Sequence, residues 1–184
     1  MSKTTHIIAI LDRSGSMSSL ASEVITNFNK FLKEQQAVPG KAKLTLATFD
    51  DEYRLVHDRV PLQEVQPITE AEYSIGGMTA MFDGVGKTLS KLQDKKRAIV
   101  FIHTDGHENA SKEYTKEGVK KLVDGKKDDW QFIFVGADID AASAGSGMGI
   151  NIADTIQTTR SVGDLADTYS NFVSCSTAYR TEKM

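Results

Sequence analysis

The sequence predicts a doubly wound α/β domain: a mostly parallel six-stranded sheet with one antiparallel edge strand and helices on both faces. Three observations predict it. Uninterrupted apolar runs, Ile7 to Leu11 and Ala98 to Ile102, have the length of strands buried on both faces. Amphipathic stretches with apolar residues three and four apart alternate with such runs, the pattern of helices covering a parallel sheet. A polar Asp50-Asp51-Glu52 turn joins two strand-like segments, which gives one antiparallel pair.

Each element follows in order. Ile7-Ile8-Ala9-Ile10-Leu11 is the first strand, and Leu20, Val24, Phe28, Phe31 and Leu32 mark one face of the first helix. Pro39-Gly40 breaks that helix. Leu44, Leu46 and Thr48 then alternate with Thr45, Ala47 and Phe49 in a second strand, and Tyr53 to Val60 returns antiparallel at the sheet edge, where Pro61 ends it. Phe82, Val85, Leu89 and Leu92 restore helical spacing before the buried strand Ala98 to Ile102. A helix over Tyr114 to Val123, a strand over Trp130 to Val135 and a short helix over Ile139 to Met148 come next. Ile150 to Thr155 is read as the last strand, and Val162, Leu165, Tyr169, Phe172 and Val173 as the face of a long final helix.

Composition narrows the class. The chain has 184 residues, 40% apolar and 26% charged, which is enough for one globular domain over residues 1–184 with a full core. The single cysteine, Cys175, excludes an internal disulfide framework and fits a reducing compartment. No apolar window reaches the ~18 residues of a membrane span. Met-Ser-Lys-Thr-Thr-His leads straight into the first strand, with no secretory leader. The net charge of −3 gives no nucleic-acid footprint, and the lysine clusters are diluted by acids. These features lead us to expect a cytoplasmic, non-membrane protein.

In doubly wound sheets the ligand lies beyond the C-terminal strand ends. The first strand runs out into Asp12-Arg13-Ser14-Gly15-Ser16, so Asp12, Ser14 and Ser16 alternate around one strand end. Alone, such a string also serves to start a helix. A glycine loop, Gly76-Gly77-Met78-Thr79, enters the Phe82 helix and presents Thr79, which alone reads equally as a cap. The Ala98 strand ends in His103-Thr104-Asp105-Gly106 and delivers a second carboxylate to the same edge. Together, two carboxylates and three hydroxyls form an all-oxygen set suited to Mg²⁺ or Mn²⁺. Only two of the five are charged, so an ion there keeps positive character and needs water or an outside anion. The N-terminus of the helix following Ser16 adds partial positive charge.

Asp12-x-Ser14-x-Ser16, Gly77-Met78-Thr79 leading to Asp83, and Thr104-Asp105-Gly106, in this order and spacing, resemble a von Willebrand factor type A (vWA) domain over almost the whole chain. The resemblance implies a Rossmann-like fold and a metal-ion-dependent adhesion site (MIDAS), whose ligands fall on Asp12, Ser14, Ser16, Thr79 and Asp105. It further implies a protein partner that completes the ion's shell with an Asp or Glu. With no membrane helix, leader, disulfide or ATPase module, it points to the intracellular branch, where such domains serve as interaction or assembly modules, often in bacteria and phages.

Rival readings are weaker. A Mg²⁺-dependent hydrolase of the haloacid-dehalogenase kind needs a general acid two residues after its aspartate, where Ser14 stands. Arg-Ser-Gly-Ser-Met is no nucleophile elbow, and no G-x-G-x-x-G follows the first strand. We therefore expect no enzyme. A metal-free structural subunit of a larger assembly has the same composition. Around the site, His107 and Glu108 are placed at the rim and Asp83 behind the glycine loop or a ligand water. Asp138 and Asp140 are read as caps of the next helix, His103 as a satisfied core histidine, and His6 and His57 as surface residues. Met78 and Met81 offer an apolar rim to a partner, with Phe82 in the core.

Overall fold

The computed structural model describes residues 4–182; the N-terminal Met-Ser-Lys, on which part of the no-leader expectation rests, lies outside them. Among the described residues six strands form one sheet: β1 (Thr5–Asp12), β2 (Ala42–Phe49), β3 (Tyr53–Pro61), β4 (Ala98–Thr104), β5 (Trp130–Ala137) and β6 (Thr155–Thr158). Their order is β3-β2-β1-β4-β5-β6, and only β3 pairs antiparallel. The order reverses direction at β1, which puts β1 and β4 side by side at the centre.

Alternation along β1 divides the core. Ile7, Ala9 and Leu11 face a cluster built with α1 (Ala21–Ala37) and α5 (Val162–Thr181). Ile8 and Ile10 face a second cluster with α2 (Met81–Ser90), α3 (Lys116–Asp124) and α4 (Ala141–Gly147). Burial on both faces is why β1 and β4 read as continuous apolar runs. The doubly wound fold expected from the sequence is the one observed.

Three local readings are corrected. The segment after Ser14 is a 3-10 helix, Gly15–Leu20, and α1 begins only at Ala21, so no α-helical N-terminus stands directly behind Ser16. The last strand is Thr155–Thr158; Ile150 is buried in the core but Ile152 is 67% exposed, and Ile152–Asp154 forms a 3-10 turn. The apolar residues at 150 and 152 therefore do not share a sheet face, and pairing with β5 starts at Phe134↔Thr155. Helix α3 starts after Thr115, whose hydroxyl accepts from the Gly118 N–H as an N-cap.

Candidate functional site

Asp12 closes β1 and Thr104 closes β4, and the paired register of these strands carries Leu11 opposite His103. The loops that follow therefore emerge together at one sheet edge. Ser14 N–H donates to Asp12 Oδ1 (2.7 Å), and the Thr104 hydroxyl donates to Asp12 Oδ2 (2.6 Å). Ser14 Oγ and Ser16 Oγ share a hydrogen bond of 3.1 Å, and Ser16 Oγ donates to Asp105 Oδ1 at 2.6 Å. Four of the five sequence-derived residues, Asp12, Ser14, Ser16 and Asp105, are thus linked in one run of hydrogen bonds. Asp12, Ser14, Thr79 and Asp105 are all buried.

Thr79 reaches the same edge through the backbone. Ser14 and Gly76 form a parallel bridge, and Gly15 N–H donates to Gly77 O (3.1 Å), which lays the glycine loop along the first loop. Thr79 N–H donates to Asn109 Oδ1 (2.9 Å), while Asn109 N–H donates to Thr79 O (3.0 Å). This double clamp ties Thr79 to the loop that follows Asp105. A Cβ on Gly106 would lie 2.8 Å from Thr79 Oγ1, so glycine at 106 permits that approach. Gly77 is equally constrained: φ is 21°, and a Cβ there would lie 1.4 Å from Asp51 Oδ1. Neither Ser14 nor Thr79 caps a helix through its side chain; the cap of α2 is Ala80. Helix capping, the plain alternative for both motifs, is therefore not their role.

The environment is tuned by burial. Burial pushes the Asp12 carboxyl above its ordinary value; hydrogen bonds from Ser14 and Thr104 pull it back, and the Asp105 charge adds to the rise. A divalent cation at this edge would oppose that penalty. Asp105 Oδ2 is buried and accepts no aligned hydrogen bond from the described residues, although Arg160 Nε stands 2.9 Å away as an ion-pair partner. The cation that faces this oxygen is the Arg160 guanidinium. Among the described residues no three His, Cys, Asp or Glu side chains cluster as metal ligands. Any ion would have to be held by two carboxylates with hydroxyls and water, a donor set that fits a hard divalent ion with open positions.

Several neighbours differ from expectation. Asp83 accepts from the N–H groups of Lys112, Glu113 and Tyr114, so it anchors the loop after β4 instead of the glycine loop or a ligand water. Glu108 accepts from Phe82 N–H, Ala110 N–H and Ser111, capping the start of α2, while His107 is exposed at the rim. Met78 is 56% exposed, but Met81 is buried and Phe82 half-buried. His103 is fully buried among Phe101 and Tyr169, yet neither ring nitrogen has a hydrogen-bond partner among the described residues, so it is a core histidine but not a satisfied one. His6 and His57 are half-buried. Asp140 caps α4 as expected, accepting from Ser143 N–H at 3.0 Å, but Asp138 faces Arg160 at 3.6 Å. Sequence reasoning missed Arg160, Asn109 and Tyr73, whose hydroxyl donates to the main-chain oxygen of Asp12. Only Arg160 carried a signal: a lone cation in the polar stretch after the last strand.

The fold is that of a vWA domain, Rossmann-like with one antiparallel edge strand. No known family profile and no curated protein sequence matches the chain. Among solved structures it is similar to proximal thread matrix protein 1 from the mussel byssus (18% identity, 96% of this chain and 46% of that one, TM-score 0.68). It is also similar to the PilB minor pilin of Streptococcus sanguinis (11% identity, 96% and 62% of the two chains, TM-score 0.72). A von Willebrand factor type A protein from Catenulispora acidiphila aligns at 14% identity over 96% and 43%, with TM-score 0.66. The mussel protein is also known with a zinc-occupied MIDAS motif. The chain spans about half the length of the mussel and Catenulispora proteins.

Proposed function

We propose that this protein is a divalent-metal-dependent interaction module of the intracellular, bacterial or phage type, working in the cytoplasm and without enzymatic activity. Asp12, Ser14, Ser16, Thr79 and Asp105 would hold Mg²⁺ or Mn²⁺ as a complete MIDAS, and a protein partner would add an Asp or Glu to the ion. The observation that carries this reading is the linkage of Asp12 and Asp105 across adjacent central strands by Ser14 and Ser16. The zinc-occupied MIDAS of a similarly folded protein supports a metal-dependent role in general. Two carboxylates neutralise a divalent ion only formally, so an incoming carboxylate gains a charge-assisted contact at a partly desolvated edge. The serine hydroxyls bond to each other and to Asp105, with no His or Lys hydrogen-bonded to them among the described residues, which supports a binding role over nucleophilic catalysis.

One observation favours a second reading. The site's polar groups already satisfy much of one another, as a metal-free structural subunit would require. Mn²⁺ titration separates the two. We expect one site in the wild type, lost in Asp12→Ala and in Asp105→Ala; no binding by the wild type, or unchanged stoichiometry in both variants, would overturn the metal reading. A pull-down in Mg²⁺ against EDTA then tests whether partner capture runs through the ion.

A further inference from the structure

Arg160 lies in the connection between β6 and α5, outside the three loops that carry the candidate ligands. Its Nε stands 2.9 Å from Asp105 Oδ2, and its Nη2 donates to the Asp105 main-chain oxygen at 3.1 Å. A planar guanidinium gripping one residue at two points is held in place, unlike a surface cation with a single transient partner. The same Nε is 3.6 Å from Asp138 Oδ2, on the β5–α4 connection. Asp138 has φ 54°, and its N–H donates to Thr158 O at 3.1 Å, which fastens that connection beside the start of the Arg160 loop. The guanidinium thus stands between two carboxylates, one buried and in the candidate metal set, the other 44% exposed outside it.

We infer that Arg160 is a tethered cation that competes with the divalent ion for Asp105, and that Asp138 receives it when the ion binds. The inference rests on the metal reading of the site. Asp105 Oδ2 has no aligned hydrogen bond, so the ion-pair attraction to Arg160 is its main compensation for burial. An ion at that oxygen supplies more charge at the same place, and like charges a few ångströms apart repel. The guanidinium side chain is 41% exposed, so it has room to turn away. Asp138, 3.6 Å from the same Nε, is the other carboxylate within ion-pair distance of Arg160 among the described residues. Metal affinity is then set by the difference between the two pairings: Arg160 on Asp105 disfavours the ion, and Arg160 on Asp138 permits it.

The test is Mn²⁺ affinity, read by calorimetry and by the paramagnetic resonance of free Mn²⁺, on the whole chain as wild type, Arg160→Gln, Asp138→Asn and the double variant. Removing a positive charge beside a divalent ion at a partly exposed edge should tighten binding on the order of tenfold at low salt, with a smaller gain at high salt. Asp138→Asn should weaken binding several-fold in the wild type and not in the Arg160→Gln background, because its effect passes through the arginine. Arg160→Lys, which keeps the charge but loses the fork, should fall between wild type and Arg160→Gln. Equal affinity in wild type and Arg160→Gln overturns the competition and leaves the metal reading standing. Weaker binding by Arg160→Gln also overturns it, since the arginine would then merely orient Asp105. An equal loss from Asp138→Asn in both backgrounds removes Asp138 as acceptor. Mn²⁺ binding by none of the four proteins overturns the metal reading and the competition together.

Discussion

Arg13 Nη2 and Asp50 Oδ1 meet 3.0 Å apart in an ion pair that both side chains largely bury. The pair fastens the first site loop to the β2–β3 turn. Arg13 also donates to Ser74 O at 3.0 Å, and Ala80 N–H donates to Asp50 O at 2.7 Å, so the glycine loop hangs from the same pair. Removing one partner leaves the other charge buried. We expect Asp50→Ala to cost about 3 kcal/mol in stability, measured by urea unfolding, and to weaken Mn²⁺ binding although Asp50 is not a candidate ligand. Unchanged stability and unchanged metal affinity would show that the loops are positioned by other contacts.

Phe172 on α5 is sandwiched between Phe31 of α1, 4.0 Å between ring centroids, and Phe101 of β4, 4.2 Å away. All three are fully buried. The stack joins the two helices on that face to the central strand that leads to Asp105. Phe172→Ala should destabilise the domain by about 3–5 kcal/mol through lost burial and a cavity, whereas Phe172→Leu should recover a large part of it. A loss below about 1 kcal/mol for Phe172→Ala, again by urea unfolding, would mean that the core closes around the gap.

The sheet was legible because two-faced burial forces contiguous apolar residues, as in Ile7–Leu11 and Ala98–Ile102. The loops carrying Asp12, Ser14, Ser16, Thr79 and Asp105 were legible because their polar spacing falls at strand ends, where the topology gathers them. Contacts set by loop paths were not. Arg160 is 55 residues from Asp105, and no periodicity relates them. Asp83 looked like part of the glycine loop because it is close in sequence, but its carboxylate spans to residues 112–114. His103 followed the strand's burial pattern, yet sequence gives no account of whether a buried polar atom finds a partner.

The buried histidines give the domain an acid-sensitive stability. Burial lowers His103 to about 4, and burial together with Lys95 and Lys43 lowers His6 to about 4, partly offset for His6 by Asp94. Arg59 also faces His6 and adds to its lowering. The unfolded chain takes up these protons near pH 6.5, the folded protein only near 4. Stability is therefore full above pH 6.5, falls as pH drops from 6.5 to 4, and gains no further histidine loss below. For fully buried His103 the loss is on the order of 3 kcal/mol; half-exposed His6 contributes less because solvent screens it. Urea unfolding at pH 7.5, 5.5 and 4.5 should show this slope, and His103→Asn should flatten it. A slope that His103→Asn leaves untouched would assign acid sensitivity to carboxylates instead.

Removing the ion should leave the fold standing. The core lies in two clusters on either side of the sheet, and the candidate ligands occupy one edge beyond the strands. Their polar groups have partners without an ion: Thr104 and Ser14 for Asp12, Ser16 and Arg160 for Asp105. An ion bound only by the folded state therefore adds its binding free energy and no more, about 2–3 kcal/mol at a hundredfold excess over Kd. For a domain of this size that is roughly 4–10 °C in melting temperature. Far-ultraviolet circular dichroism in EDTA at room temperature should match that in Mg²⁺, with the melting curve shifted by this amount. Thr79→Ala should keep most of the shift, because one hydroxyl contributes little charge, while weakening partner capture, for which the geometry of the open coordination position matters. Loss of the spectrum in EDTA would mean that the ion is structural, with the loops organised around it, and the interaction reading would fall with it.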